Sequence, residues 1–343
     1  MLSGLSLLGD EDFGVGMRRE PVLGASPPTG RPVVPGALTL GEVLGGLLET
    51  PAQLPAKAFY DERGALLFEE ITRVAEYYPT RVEREILHAQ ARAIAAEVGE
   101  GAVVIEYGSG AAEKSRILLP HLRPSAYVPV DISGEQLGRV AGELGDAYPE
   151  MTVYPVVADF ADVMWLPTDV AEPGVRRVAL FLGSTIGNFH PDEAAAFVRR
   201  VRDTVGPGGA LLLGADLRKD PTVLQAAYND ARGVTAAFNK NVLERLKREF
   251  DARVDVDAFV HHAFYEPVRG RVEMHLLARR ETRIELADVS VHFGAGEGIW
   301  TESSYKFTRG ALAQLGEAGG MSLSRVWTDR RGWFALALYT AEG

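Results

Sequence analysis

Between residues 103 and 216 apolar runs alternate with helix-like stretches, and this alternation constrains the fold more than any other feature of the chain. The runs are "AVVIEYG", "AYVPVDIS", "TVYPVVADF", "RVALFLGS" and "GALLLGADL". Between most of them lie "EKSRILLPHL", "SGEQLGRVAGELGDAY" and "PDEAAAFVRRVRDTV". A strand that is apolar at nearly every position has no face to give to water, so both faces of its sheet must be covered. Strands alternating with helices supply that cover through parallel crossovers. The fold class is therefore α/β, built on a parallel sheet with helices on both sides.

The flanks differ. From Leu40 to Leu87 the pattern is helical, with a break near "PAQLPAK". After Asp216, "DPTVLQAAYNDARGVTAAFNKNVLERLKREF" reads as one long helical region. "FVHHAFYEPVRGRVEMHLLARRETRIEL" follows as antiparallel strands joined at "VRGR". This block interrupts the α/β unit, and a second, α+β lobe is expected from it. The C-terminal "SLSRVWTDRRGWFALALYTA" returns to strand character around a turn near "DRRG", which predicts an antiparallel hairpin on the sheet. Residues 1–36, with "GASPPTGRPVVPG", read as a flexible tail. The expected division is residues 81–216 and 306–343 in the α/β domain and 37–80 with 217–305 in the second lobe.

Composition removes whole classes of function. A net charge of −11 argues against broad binding to nucleic acid or anionic membranes. The absence of cysteine excludes disulfides, thiol nucleophiles and thiolate metal sites. No histidine pair has HxxxH or HExxH spacing, and the adjacent His261 and His262 would point to opposite faces of a strand, so no metal site is expected. No apolar run has the length of a membrane span. The start, "MLSGLSLLGDEDFGVG", lacks the basic opening of a signal peptide. A cytoplasmic monomer is the default expectation.

"IEYGSGAAE" places Gly108 and Gly110 directly after the first strand of the sheet. Glycine permits the tight turn and lets the backbone approach a ligand. The full GxGxxG pattern fails, because the third position is Glu113. A carboxylate there suits a helix N-terminus but opposes a pyrophosphate. S-adenosylmethionine has no phosphate, and Lys114 stands close enough in sequence to meet its carboxylate. Asp131 ends the next strand, placed to accept from both ribose hydroxyls, a device that dinucleotide domains share. Asp159 and Phe160 end the third strand, where an adenine would be held. Either acid alone could be a helix cap. The ordered set of glycine turn, Asp131 and Asp159, followed by a polar turn after strand four, favours S-adenosylmethionine as the cofactor.

Strand four ends in "FLGSTIGNF", which sets Gly183 and Asn188 at the strand ends where open α/β sheets bind ligands. Taken alone, Asn188 could instead cap the helix that follows. Together with this segment, "FYDERGALLFEEITRVAEYYPTRVEREIL", "EYGSGAAEKSR", "AYNDARGVTAAFNKNVL" and "TESSYKF" resemble the histidine Nα-methyltransferases of ergothioneine biosynthesis, collinearly over residues 44–340. The resemblance implies a class I (Rossmann-like) methyltransferase domain with its terminal hairpin, a substrate lobe, S-adenosylmethionine as donor, and three successive methylations of L-histidine to hercynine. It also implies roles. Tyr77, Asn188 and Tyr228 match carboxylate-binding groups. Glu302 and Ser304 match imidazole-binding groups, and Met274 matches a side-chain-pocket residue. Tyr60, Phe68 and the backbone of Gly183 match the surroundings of the reacting amine. Gly108, Lys114, Asp131, Asp159 and Phe160 match the cofactor set. Tyr107 departs from the family's usual apolar residue, and Ser303 varies between the two imidazole contacts.

The chemistry is coherent. Tyrosine hydroxyls and an amide can hold a carboxylate without a buried cation. A carboxylate and a hydroxyl can satisfy both ring nitrogens. Methyl transfer from a sulfonium is a direct displacement that needs in-line positioning, and aromatic neighbours favour a cationic product. Each tyrosine alone could be core packing with its hydroxyl paired. An Nα-methyltransferase for another amino acid such as tryptophan is the alternative, and indole has no basic nitrogen to use both Glu302 and Ser304. A cofactor-binding sensor without catalysis is a further one.

Overall fold

The computed structural model describes residues 38–159, 166, 170 and 174–342. The expected tail and Phe160 lie outside the described residues. The chain enters through α1 (Leu40–Leu47), a short β1 (Ala52–Gln53), a 3-10 turn at Ala56–Phe59, α2 (Glu62–Arg73) and α3 (Pro79–Val98). Helix α2 starts where the Asp61 carboxylate accepts from the Gly64 N–H at 2.6 Å, and Pro79 stands in the first turn of α3, where no N–H is needed.

The central sheet follows: β2 (Val103–Tyr107), α4 (Ser115–Leu122), β3 (Ala126–Asp131), α5 (Gly134–Ala147), β4 (Thr152–Val153), β5 (Val156–Val157), β6 (Arg177–Phe181), α6 (Pro191–Val205) and β7 (Ala210–Asp216). "TVYPVVADF", read as one strand, is two. Tyr154 still donates to Tyr127 O, but Pro155 has no N–H to give, and pairing resumes at Val156↔Val130. Asp159 therefore lies two residues beyond the strand end rather than at it.

After β7 come α7 (Pro221–Tyr228) and α8 (Val234–Phe250). The expected single helical region is broken between them. Gly233 takes a φ of 72°, and Asp230 caps α8 by accepting from the N–H groups of Val234 (2.9 Å) and Thr235 (2.7 Å). Strands β8 (Arg253–Val254), β9 (Phe259–Glu266), β10 (Arg271–Ala278), β11 (Thr282–Leu286), β12 (Val289–Phe293) and β13 (Gly298–Tyr305) form two smaller sheets, ordered β1-β13-β10-β9 and β12-β11-β8. Helix α9 (Arg309–Gly319) and strands β14 (Ser322–Thr328) and β15 (Phe334–Thr340) return the chain to the large sheet.

That sheet runs β14-β15-β7-β6-β2-β3-β4, with β5 also on β3. Strands β2 to β7 pair in parallel, and β15 runs antiparallel to β7 and β14. This is the class I order with its terminal hairpin. Side chains alternate between two cores. Val104, Leu212 and Leu336 join the core under α3, while Ile105, Leu211 and Ala337 join the one under α6 and α9. Both faces are apolar because both are covered, which is the reason the sequence shows continuous apolar runs.

One link sets the geometry of the site. After β13 the Phe307 N–H donates to Asp216 O at 2.8 Å, and Leu217 bridges Phe307 in parallel. The end of β13 is thereby tied to the end of β7, so the small sheet stands over the C-terminal ends of the large one.

Candidate active site

On the cofactor side, Gly108 and Gly110 have φ of 67° and 49°, a region in which residues with a Cβ are strained. The turn they make crosses the end of β3, with the N–H groups of Gly108 and Ser109 both donating to Val130 O (2.8 and 3.1 Å). Asp131 accepts from the N–H groups of Gly110 (2.9 Å) and Ser133 (3.1 Å). Its carboxylate is thus oriented, with lone pairs left for a diol. A Cβ at Gly110 would meet no atom within 4 Å, so the space above the turn is open. Beneath it, Glu106 accepts from Ser115 (2.5 Å) and Tyr127, and burial pushes its carboxyl up to about 7 against those bonds and the charge of Lys114. An oriented acid, open space at Gly110 and a nearby cation suit the ribose and amino-acid ends of S-adenosylmethionine. Lys114 is not isolated, however: its ammonium sits 2.6 Å from Glu83 Oε2. Asp131→Ala is expected to weaken S-adenosylmethionine binding by about 1–3 kcal/mol, the range for a bond to a charged group, read by calorimetry.

Gly183, Tyr60, Phe68, Tyr77, Asn188, Tyr228, Met274, Glu302 and Ser304 all line one cavity between the end of β6 and the small sheet. They arrive from separate elements. Tyr60 precedes α2, Phe68 is on α2, and Tyr77 lies between α2 and α3. Asn188 closes the 3-10 turn Thr185–Asn188, Tyr228 ends α7, and Met274 opposes Glu302 across β10 and β13. Asn188 does not cap α6. His190 holds that position, its N–H donating to Glu193 at 2.8 Å. Rings of Tyr60, Phe68, Tyr77 and Phe238 meet with centroids 6.1–6.3 Å apart and form an aromatic wall.

Polar groups in the cavity divide sharply. Among the described residues, none hydrogen-bonds the side chains of Glu302, Asn188 or Tyr77. Burial in the cavity pushes the Glu302 carboxyl up to about 7, opposed by the charge of Lys306. Tyr228 is raised well above its usual range by burial and by Glu302, so it remains a protonated donor.

The shift on Glu302 has a stability consequence with a definite sign. Ionising it in the folded chain carries a cost that is absent below about 4.5, its unfolded value, and complete above about 7. That span corresponds to at most about 3 kcal/mol, less the screening by solvent that reaches the cavity. Glu302→Gln is expected to raise the melting temperature at pH 8, with the gain fading as the pH falls to 4.5. Thermal unfolding across that range checks it.

At one wall of the cavity stands a group of charged side chains, Asp216 and Lys306 among its lining, that sequence reasoning missed. Asp216 is 1% exposed and sits 3.0 Å from Lys306 Nζ, itself 1% exposed. Lys219 Nζ lies 2.5 Å from the other carboxylate oxygen, and the Tyr78 hydroxyl donates to Asp216 at 2.8 Å. Burial works to raise the Asp216 carboxyl, but Lys306 and Lys219 together hold it below its usual range. Burial lowers Lys219 to about 8 against the pull of Asp216. The pocket's hydroxyl groups are thus themselves held by a buried cation, Lys306. The available signals were Asp216, a carboxylate ending a strand of an α/β sheet, and the lysine within "TESSYKF". Glu83 was missed as well. It is fully buried on α3 and accepts from the Gly183 N–H at 2.8 Å while pairing with Lys114.

Comparisons with known proteins agree with this geometry. The family model for histidine-specific, S-adenosylmethionine-dependent methyltransferases matches residues 39–341. The histidine N-alpha-methyltransferase of Mycolicibacterium smegmatis is 42% identical over 304 residues, 87% of this chain and 93% of that protein. Ergothioneine biosynthesis protein 1 of Neurospora crassa is 32% identical over 81% of this chain, a match spanning 32% of its own length. The L-tryptophan methyltransferase of Psilocybe serbica is 25% identical over 86% of this chain and 90% of its own. With the family's match running through the glycine turn, the strand-end acids and both smaller sheets, the chain belongs to the histidine-specific, S-adenosylmethionine-dependent methyltransferases.

Proposed function

We propose that the protein transfers three methyl groups in succession from S-adenosylmethionine to the α-amino nitrogen of L-histidine, giving hercynine for ergothioneine biosynthesis. The observation that carries this reading is the pairing, in one cavity, of a carboxylate that no described side chain hydrogen-bonds with several hydroxyl and amide donors. In this reading Glu302 accepts from the ring N–H and Ser304 donates to the other ring nitrogen. Asn188, Tyr77 and Tyr228 hold the carboxylate.

When bound, S-adenosylmethionine supplies an electrophilic sulfonium methyl for in-line displacement. Gly108, Lys114, Asp131, Asp159 and Phe160 are its proposed binding residues. Each transfer needs the amine lone pair, so one proton leaves before every step, three in all. The chain's part is mainly positional. Glu83 fixes the Gly183 turn by accepting its N–H, which holds the backbone that faces the amine. Tyr60, Phe68 and Phe238 line the cavity around a nitrogen that ends as a quaternary ammonium, where cation–π contact favours the product. Residues 81–216 and 306–343 are proposed as the cofactor domain, and 37–80 with 217–305 as the substrate lobe. No helix among the described residues is long and apolar enough to cross a membrane.

Incubation with S-adenosylmethionine and each amino acid, read by mass, tests the proposal. Histidine should gain one, two and then three methyl groups. Methylation of tryptophan in preference to histidine would instead support the alternative that the tryptophan-acting relative represents.

A further inference from the structure

Lys306 is not among the groups that the proposed roles use, yet every one of its donors has a destination. Its ammonium lies 2.9 Å from Tyr228 Oη, 2.8 Å from Ser304 Oγ and 3.0 Å from Asp216 Oδ2. An ammonium has three N–H donors and no acceptor, so the set is complete. Tyr228 Oη and Ser304 Oγ are also 2.7 Å apart. Each hydroxyl oxygen therefore accepts from the lysine, and one hydroxyl donates to the other. The pair's remaining proton has only the cavity to turn to. When a ligand with two acceptors arrives, the mutual bond can open and both protons turn outward, while the lysine still holds both oxygens.

A counter-ion for Asp216 would not need this geometry. The carboxylate already has Lys219 and two contacts from the Tyr78 hydroxyl. Two of the three Lys306 donors point away from Asp216, at the very oxygens that face the pocket. Lys306 Nζ also lies 4.8 Å from the centroid of the Tyr228 ring.

We propose that Lys306 is a positioning residue for substrate recognition, which turns the Tyr228 and Ser304 hydroxyls into donors toward the amino-acid carboxylate and the ring nitrogen. This inference rests on the histidine reading above. It implies that the pocket requires acceptors at both places and that Tyr228 and Ser304 act as one unit through the lysine. An effect carried through a shared group is non-additive.

The test uses the full chain and L-histidine, with binding measured by calorimetry and S-adenosylmethionine affinity measured in parallel. Lys306→Met keeps the length and removes the donors. Histidine binding is expected to weaken about 30-fold or more, with S-adenosylmethionine affinity within about twofold of wild type. Tyr228→Phe combined with Lys306→Met should weaken histidine binding less than about threefold beyond Lys306→Met alone. If Lys306→Met does not fold, Lys306→Arg keeps the charge beside Asp216. Its planar fork cannot serve three acceptors arranged around a tetrahedral nitrogen, so at least about tenfold weaker binding is expected. Histidine affinity within threefold of wild type in the variant that folds overturns the proposal. So do losses that multiply in the double variant, or equal losses for histidine and S-adenosylmethionine, which mark a purely structural role. Failure of the wild type to bind histidine would instead remove the histidine reading, and this inference with it.

Discussion

Glu302→Ala is expected to collapse the preference for histidine over tryptophan by on the order of 10²-fold in kcat/KM. The imidazole N–H would lose its proposed acceptor, the carboxylate that stands opposite Met274 on β13. A site built to hydrogen-bond a substrate group discriminates strongly, because breaking the pair leaves a buried donor unsatisfied. Tryptophan gains or loses little by comparison. Glu302→Ala enlarges the ring pocket beside Met274 and removes a carboxylate whose desolvation is costly. S-adenosylmethionine affinity should stay close to wild type, because the proposed cofactor residues follow β2, β3 and β5 in sequence and none is on the small sheet. Ser304→Ala should act in the same direction more weakly, a neutral hydroxyl making the weaker bond. Specificity constants for both amino acids in the three proteins measure it. An unchanged ratio in Glu302→Ala would transfer the choice of side chain to other residues.

Asp216→Ala is expected to destabilise the fold by about 3–5 kcal/mol, the range for breaking a buried ion pair by removing one partner. The cause is not the loss of one attraction. Lys306 and Lys219 are 1% and 4% exposed, and without Asp216 both ammonium groups lose their carboxylate in a site that water barely reaches. Burial already lowers Lys219 to about 8 with Asp216 present, so the variant's stability should fall further as the pH drops and Lys219 is held protonated. Tyr78→Phe removes one hydroxyl donor and leaves the charges balanced, so it should cost less, about 1.5–3 kcal/mol. Thermal or denaturant unfolding of the two variants compares them. A loss for Asp216→Ala no greater than that for Tyr78→Phe would mean that the lysines find water or another acid.

The two cases illustrate different sources of legibility. Glu302, Ser304, Tyr228 and Asn188 could be named as site residues because they fall within long segments that resemble a family. Lys306 also lies in such a segment and Asp216 ends the strand "GALLLGADL", but their importance depends on a contact between the end of β7 and the end of β13, separated by 90 positions in sequence (306 less 216). Neither composition nor periodicity registers such a contact. Glu83 is a similar case. On the helix pattern of α3 it occupies an apolar face, beside Val82 and Ile86, where a carboxylate looks like an exception. Its reason is the Gly183 N–H and the Lys114 ammonium, groups on two other elements.

Local rules sufficed for other parts. Continuous apolar runs announced a sheet buried on both faces, and the two cores that alternate along β2, β7 and β15 are its physical cause. Positive φ at Gly108 and Gly110 follows from a turn that must cross the next strand. Where local reading erred, a single residue decided. Pro155 splits one strand by withholding an N–H, and Asp230 with Gly233 ends one helix and starts another.

By itself, then, the sequence determined the parallel sheet, its hairpin ending, the glycine turn with Asp131, and through its motifs the family, because these depend on residue type and near spacing. Only the tertiary structure decided that these nine scattered residues share one cavity. It alone showed that Lys114 is paired with Glu83 and that a buried lysine stands behind the tyrosine and serine of the pocket. The reason is that burial and charge pairing are properties of the space between elements. A lysine in a strand-end motif is a solvated point charge or a fixed three-way donor according to what the rest of the chain brings within 3 Å of its nitrogen, and for Lys306 the end of β7 and the end of α7 bring it a carboxylate and a phenol.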